Sequence, residues 1–198
     1  MASEVKGLWF VVARRYIVDH HGIEVVHKMA DSIGEKYRDS LLAPLRSDWY
    51  PEACLKEYLR AYSDIVARRD EKRMLAAIED CTLQGVNRFF EVLLRLTTPR
   101  FVMRQVPVLW RYVRRGQGML HVEADDERAI CRYVDFPHFD DVNYRLLALG
   151  TLRPLASLCS GTNPRAEVIG YGKSYLDIEV RYLASVARRA PSSTPPAS

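Results

Sequence analysis

Arg100, Arg104, Arg111 and Arg115 recur at steps of four, seven and four residues, with Arg114 beside them and Trp110 and Tyr112 interleaved. On one continuous helix that spacing draws the guanidinium groups into a stripe able to grip phosphates or an acidic protein surface. The same spacing describes an ordinary solvated face paired with nearby carboxylates, which is what a charge run usually is. Pro107 interrupts the segment and is expected to kink or split it. Trp49 and Tyr50, next to Pro51, are the residues suited to line a ligand pocket, although large aromatics beside a proline more often clamp a loop onto a core.

Other reactive groups lack the spacing that chemistry needs. Gly172-Lys173-Ser174 matches the end of a phosphate-binding loop, but Glu167 stands where the first glycine is required and a strand pattern follows instead of a helix. His20 and His21 are adjacent, so on a helix they diverge by about 100° and cannot chelate one ion together; no cysteine or carboxylate completes a zinc spacing around them or His27. Asp125-Asp126-Glu127 and Asp140-Asp141 are explained by a hairpin turn and a helix start without invoking acid–base work. Ser157, Ser160 and Thr162 have no nucleophile-elbow context, and Cys131 and Cys159 have no histidine near them in sequence. No catalytic residue is assigned, and an enzyme of unknown reaction ranks third among the functional classes.

The elements that must position these residues come in a telling order. The chain has 198 residues, fitting one domain that buries roughly 70% of its unfolded surface without a staple. Its net charge of +4 gives nucleic acid no support as a partner. Four dispersed cysteines read as free thiols in a reducing cytoplasm, and the longest apolar run near the start, Leu8–Ala13, is too short to span a membrane. Apolar spacing of three and four predicts helices over 4–19, from Val26 through Tyr37, from Pro51 to Val66, a long one from Leu75 to Leu96, and 100–115. Alternation then predicts strands at 120–123 and 129–136, a helix over 139–159 capped by Asp140 or Asp141, and strands at 166–171 and 175–182. Residues 1–187 form a single domain on this reading, and the Pro/Ser-rich stretch 188–198 is expected to be disordered. The class is α+β: five or six helices on a four-stranded antiparallel sheet with a β-β-α-β-β tail.

At this point the chain resembles a family of uncharacterised domains numerous as paralogues in myxobacteria. The matching residues are Lys6-Gly7 with Tyr16 and Gly22, Ser47-Asp48-Trp49-Tyr50-Pro51, Thr98-Pro99-Arg100-Phe101, and Trp110-Arg111-Tyr112 ahead of Gly116-x-Gly118. More remotely the layout is similar to 4-vinyl-reductase-like domains, heme-based nitric-oxide-sensing domains and vesicle-tethering subunits. That group implies small-molecule sensing or assembly. Its vinyl-reductase-like members place a cysteine pair in the last hairpin, where Glu167–Leu176 has none, so a thiolate metal site is argued against. Its heme sensors take an axial histidine from the helix before a Thr-Pro-like turn, and no histidine occurs between His27 and His121. Heme held that way is argued against too, and no cofactor is expected.

These readings converge on a non-enzymatic regulatory module binding a small apolar ligand or a protein partner, with a homo- or hetero-oligomeric scaffold or interaction protein without a ligand as the alternative; a homo-oligomer is expected. In the ligand version, an apolar cavity lies between the sheet and the long helix that starts at Leu75.

Overall fold

A computed structural model of the chain describes residues 3–86, 97–159 and 163–182. It opens on a short strand, β1 (Glu4–Lys6), where the periodicity predicts helix, and helix α1 (Leu8–His21) follows. The reason is non-local. Val5 pairs with Tyr50 of β2 (Trp49–Pro51) on one side and Arg114 of β3 (Arg114–Arg115) on the other, making a three-stranded antiparallel sheet. Gly7 then passes so close to the 45–50 loop that a Cβ would collide with the Leu45 carbonyl, while its N–H donates to the Asp48 carbonyl at 2.8 Å.

Gly22, at φ +83°, ends α1 in a backbone conformation that favours glycine. The expected second helix is two, α2 (Ile23–Ser32) and α3 (Glu35–Leu42), parted at Ile33-Gly34. Pro51 precedes α4 (Glu52–Tyr62), which widens into a π-helical turn over Ser63–Ala67. Arg68 and Arg69 follow in left-handed conformation, and the Asp70 carboxylate accepts from the amides of Lys72 and Arg73 to start α5 (Glu71–Gly85). The expected continuation of α5 to Leu96 falls mostly outside the described residues, as do Ser160, Thr162 and the 188–198 tail.

The Thr98 side chain caps α6 (Pro99–Val113) and Asp141 caps α7 (Val142–Ser157). Each holds its internal proline, Pro107 or Pro154, within an unbroken helix, so the expected split at Pro107 does not occur. Between and after them lie β4 (Met119–Ala124), β5 (Arg128–Val134), β6 (Arg165–Tyr171) and β7 (Tyr175–Arg181). These form an antiparallel sheet in the order β4-β5-β7-β6.

The class is α+β, with the expected β-β-α-β-β tail. Among the described residues there are seven α-helices where five or six were expected, and two antiparallel sheets where one was. In β7, Leu176, Ile178 and Val180 form one fully buried row, and α7 packs on that strand while α6 packs on β4. Helices α5 and α7 cross closely at Gly150, where a Cβ would come within 2.6 Å of Ile78 Cγ2. The Thr82 hydroxyl bridges the crossing, 3.0 Å from the Gly150 carbonyl.

Candidate functional site

Three helices close around a void of about 50 Å³. Helix α1 contributes Trp9, Phe10, Ala13, Tyr16 and Ile17; α4 contributes Leu55, Tyr58, Leu59 and Tyr62. Helix α5 adds Met74, Ala77, Ile78 and Cys81, and Leu147 of α7 completes the wall. Within α4 and within α5 the steps are three, one and three residues, one face of a helix in each case. The void therefore lies where three amphipathic faces meet. The expected helix, α5, lines it; the sheet, expected on the other side, does not.

The accessible wall is wholly apolar, and the polar ends of its tyrosines and tryptophan turn away from the space. Tyr16 and Tyr62 lie near enough for each phenol to influence the other's protonation. Tyr58 Oη and Trp9 Nε1 are buried with no hydrogen-bond partner among the described residues. Burial raises all three phenols above the ordinary tyrosine range, Tyr58 most plainly, so they stay neutral donors at physiological pH. Burial, reinforced by Asp80, pushes the Cys81 thiol up to about 12, leaving it protonated and unreactive. A void with such a wall suits a small apolar molecule.

Against the outer side of Met74 lies a second, polar cleft of about 250 Å³, lined also by Arg60, Ser63, Asp64, Arg69 and Asn143. Asp64 bonds Arg69 at 2.8 Å, and that bond chiefly holds its carboxyl below the usual range.

The residues singled out from sequence lie elsewhere. Arg100 pairs with Asp126 at 3.1 Å, and Arg104 donates to the Ala124 carbonyl at 3.1 Å. Arg115 pairs with Glu4 and lies over the Trp49 ring, 4.5 Å from its centre, with Lys6 at 4.6 Å. Arg111 is exposed on α6. The Tyr50 hydroxyl accepts from the Leu45 amide at 2.9 Å, and the Tyr50 ring tilts against Phe10, the centroids 4.9 Å apart. Trp110 packs edge-on against Tyr133 and Phe136. None of Trp49, Tyr50 and Trp110 lines the void. Its own polar residues carried one legible signal: Tyr16, Tyr58 and Tyr62 occupy inward positions of apolar helix faces, where a phenol needs a partner.

No protein-family model matches the sequence, and no relative is found among curated proteins. Solved structures do match. An Fe(II) unliganded H-NOX protein from K. algicida aligns with a TM-score of 0.66 at 13% identity, covering 91% of this chain and 98% of that one. A structure probing heme distortion in the H-NOX family gives 0.66 at 13%, covering 90% and 95%. An oxygen-binding H-NOX domain related to soluble guanylate cyclases gives 0.63 at 13%, again covering 90% and 95%. The fold is thus H-NOX-like, as the remote similarity to heme-based sensors implies. The comparisons supply no match to the myxobacterial domains.

This likeness overturns the expectation that no cofactor belongs to the chain. The fold is that of proteins described by their heme, and a missing histidine does not decide the matter, because cysteine and tyrosine also hold heme iron. Around the void the chain offers Cys81 and the three tyrosines as such groups. A porphyrin is far larger than about 50 Å³, so the walls as they stand hold a molecule of a few heavy atoms, and iron ligation would require α1 and α4 to part. Among the described residues no cluster of three or more His, Cys, Asp or Glu is placed to hold a metal ion, and no helix is long and apolar enough to cross a membrane.

Proposed function

We propose that this chain is a small-molecule-sensing regulatory module, and that its ligand enters the void between α1, α4 and α5. The observation that carries this is the void itself, a small space inside the helical half of the protein whose accessible wall is wholly apolar. A guest there would recover the packing contacts that an empty apolar space forfeits. The H-NOX-like fold supports the same role, since its neighbours include a heme protein and an oxygen complex. Heme and small apolar molecules are therefore the ligands to try first. Sensing needs no nucleophile, which agrees with a protonated Cys81. The similarity to the myxobacterial domains belongs to this proposal, as does a cytoplasmic setting that would keep all four free thiols reduced.

The test is a thermal-shift and absorption screen with hemin and a panel of small apolar molecules. The wild type is compared with Ala77→Leu, which fills the void. At least one compound is expected to stabilise the wild type and to leave Ala77→Leu unmoved. If no compound stabilises the wild type, or Ala77→Leu responds equally while remaining folded, the void is not the ligand site and the proposal fails.

A further inference from the structure

Helix α6 has two apolar sides. Val102, Met103 and Val106 face the core and are buried. Phe101, Val108 and Tyr112 face outward, exposed by 54%, 62% and 67%. With Gln105 they stand at i, i+4, i+7 and i+11, the three–four alternation of a helix–helix seam. Exposed Leu109 widens the row along one edge. Along the other run Arg104 and Arg111, seven residues apart and so on one line.

That edge is electrostatically unbalanced. Residues 99–113 contain no aspartate or glutamate. Arg100 is neutralised by Asp126, but Arg104 meets only a neutral carbonyl and Arg111 has no partner among the described residues. Two uncompensated cations therefore border a solvent-facing apolar row, a larger feature than scattered surface side chains.

We propose that this outer face of α6 docks an amphipathic helix of a partner protein, whose apolar row packs on Phe101, Val108 and Tyr112 and whose carboxylates line the edge meeting Arg104 and Arg111. Charge complementarity selects that occupant. A second copy of α6 does not supply it: antiparallel pairing sets Arg104 and Arg111 against their own copies, and parallel pairing gives them no carboxylate. A bilayer suits the seam less, because lipid chains offer the Gln105 amide no hydrogen bond, whereas a helix side chain does. The inference stands apart from the ligand void, whose lining includes no residue of α6.

Fluorescence anisotropy of the full chain against two labelled, designed helical peptides of about three heptads tests it. Both carry a leucine seam; one has glutamates along the edge, the other lysines. The glutamate-edged peptide is expected to bind saturably and about tenfold or more tighter than the lysine-edged one. Val108→Asp should abolish that binding, and Arg104→Glu with Arg111→Glu should reverse the preference, each variant keeping the wild-type circular dichroism melt. Equal affinity for the two peptides, or binding that survives Val108→Asp, overturns the proposal. So does a Val108-dependent dimer in sedimentation, or Val108-dependent binding to phosphatidylserine vesicles, which would give the face to a second copy or to lipid.

Discussion

Arg114 and Glu52 meet side-on inside the protein, Nε to Oε2 at 3.3 Å and Nη2 to Oε1 at 3.2 Å, with both side chains almost wholly out of water. Arg114 also lies over the Trp110 ring, 4.3 Å from its centre, and the Tyr144 hydroxyl donates to the Glu52 carbonyl at 3.1 Å. The pair thus ties α4 to the junction of α6 with β3, and α7 to both. Removing one partner strands the other charge in the interior. Arg114→Leu should cost about 3–5 kcal/mol in urea unfolding, and Glu52→Leu with Arg114→Leu together should cost much less than the two single changes summed.

His138 stacks on Tyr144 with centroids 5.0 Å apart and rings inclined by 28°. Burial, chiefly, holds its pKa below the ordinary imidazole value of 6.5; Lys56 and Arg114 push the same way, and Glu52 and Asp140 oppose them. The unfolded chain therefore binds the proton first. The contribution of the neutral ring is fully present above 6.5 and is lost as pH falls from there through the folded value. Denaturation midpoints should drop between about pH 7 and about pH 5, and drop less in His138→Gln. Parallel curves for the two proteins would remove His138 from this account.

Gly150 is where α7 comes nearest α5, and Ile78, the side chain it would strike, also lines the void. Gly150→Ala should destabilise by about 1–3 kcal/mol, the range for overpacking, seen as a lowered melting temperature. Ile78 has to move into the void, so ligand stabilisation should weaken in the same variant.

Arg68, at φ +56°, bears left-handed strain. Its neighbour Arg69 shares the conformation but is tied to Asp64. Arg68→Gly relieves a strain of about 1–2 kcal/mol against the smaller entropic cost of glycine, and should raise stability by roughly 0.5–1 kcal/mol in the same unfolding assay.

Elements with a local cause were legible in the residues alone. Leu55, Tyr58, Leu59 and Tyr62 read as one helix face, and they form one wall of the void. Leu176, Ile178 and Val180 alternate and lie in one buried row. What escaped notice depends on partners far away in the chain. Val5 fits a helix by spacing, yet pairs with Tyr50 and Arg114. Glu52 and Arg114 stand 62 residues apart, a relation no spacing rule reaches. The absence of a family-type axial histidine speaks only to one mode of holding heme, and the likeness to heme proteins lies in the three-dimensional fold at 13% identity, below what residue spacing shows.

Among the described residues, Met74 is the one side chain that borders both the apolar void and the polar cleft beside it. It is an unbranched thioether with three rotatable bonds. A guest crossing from cleft to void would therefore wait on a rotamer change, a nanosecond-class event for a free side chain and slower for a buried one, and not on the separation of helices. If the void is the ligand site, its exchange rate is then a property of one side chain.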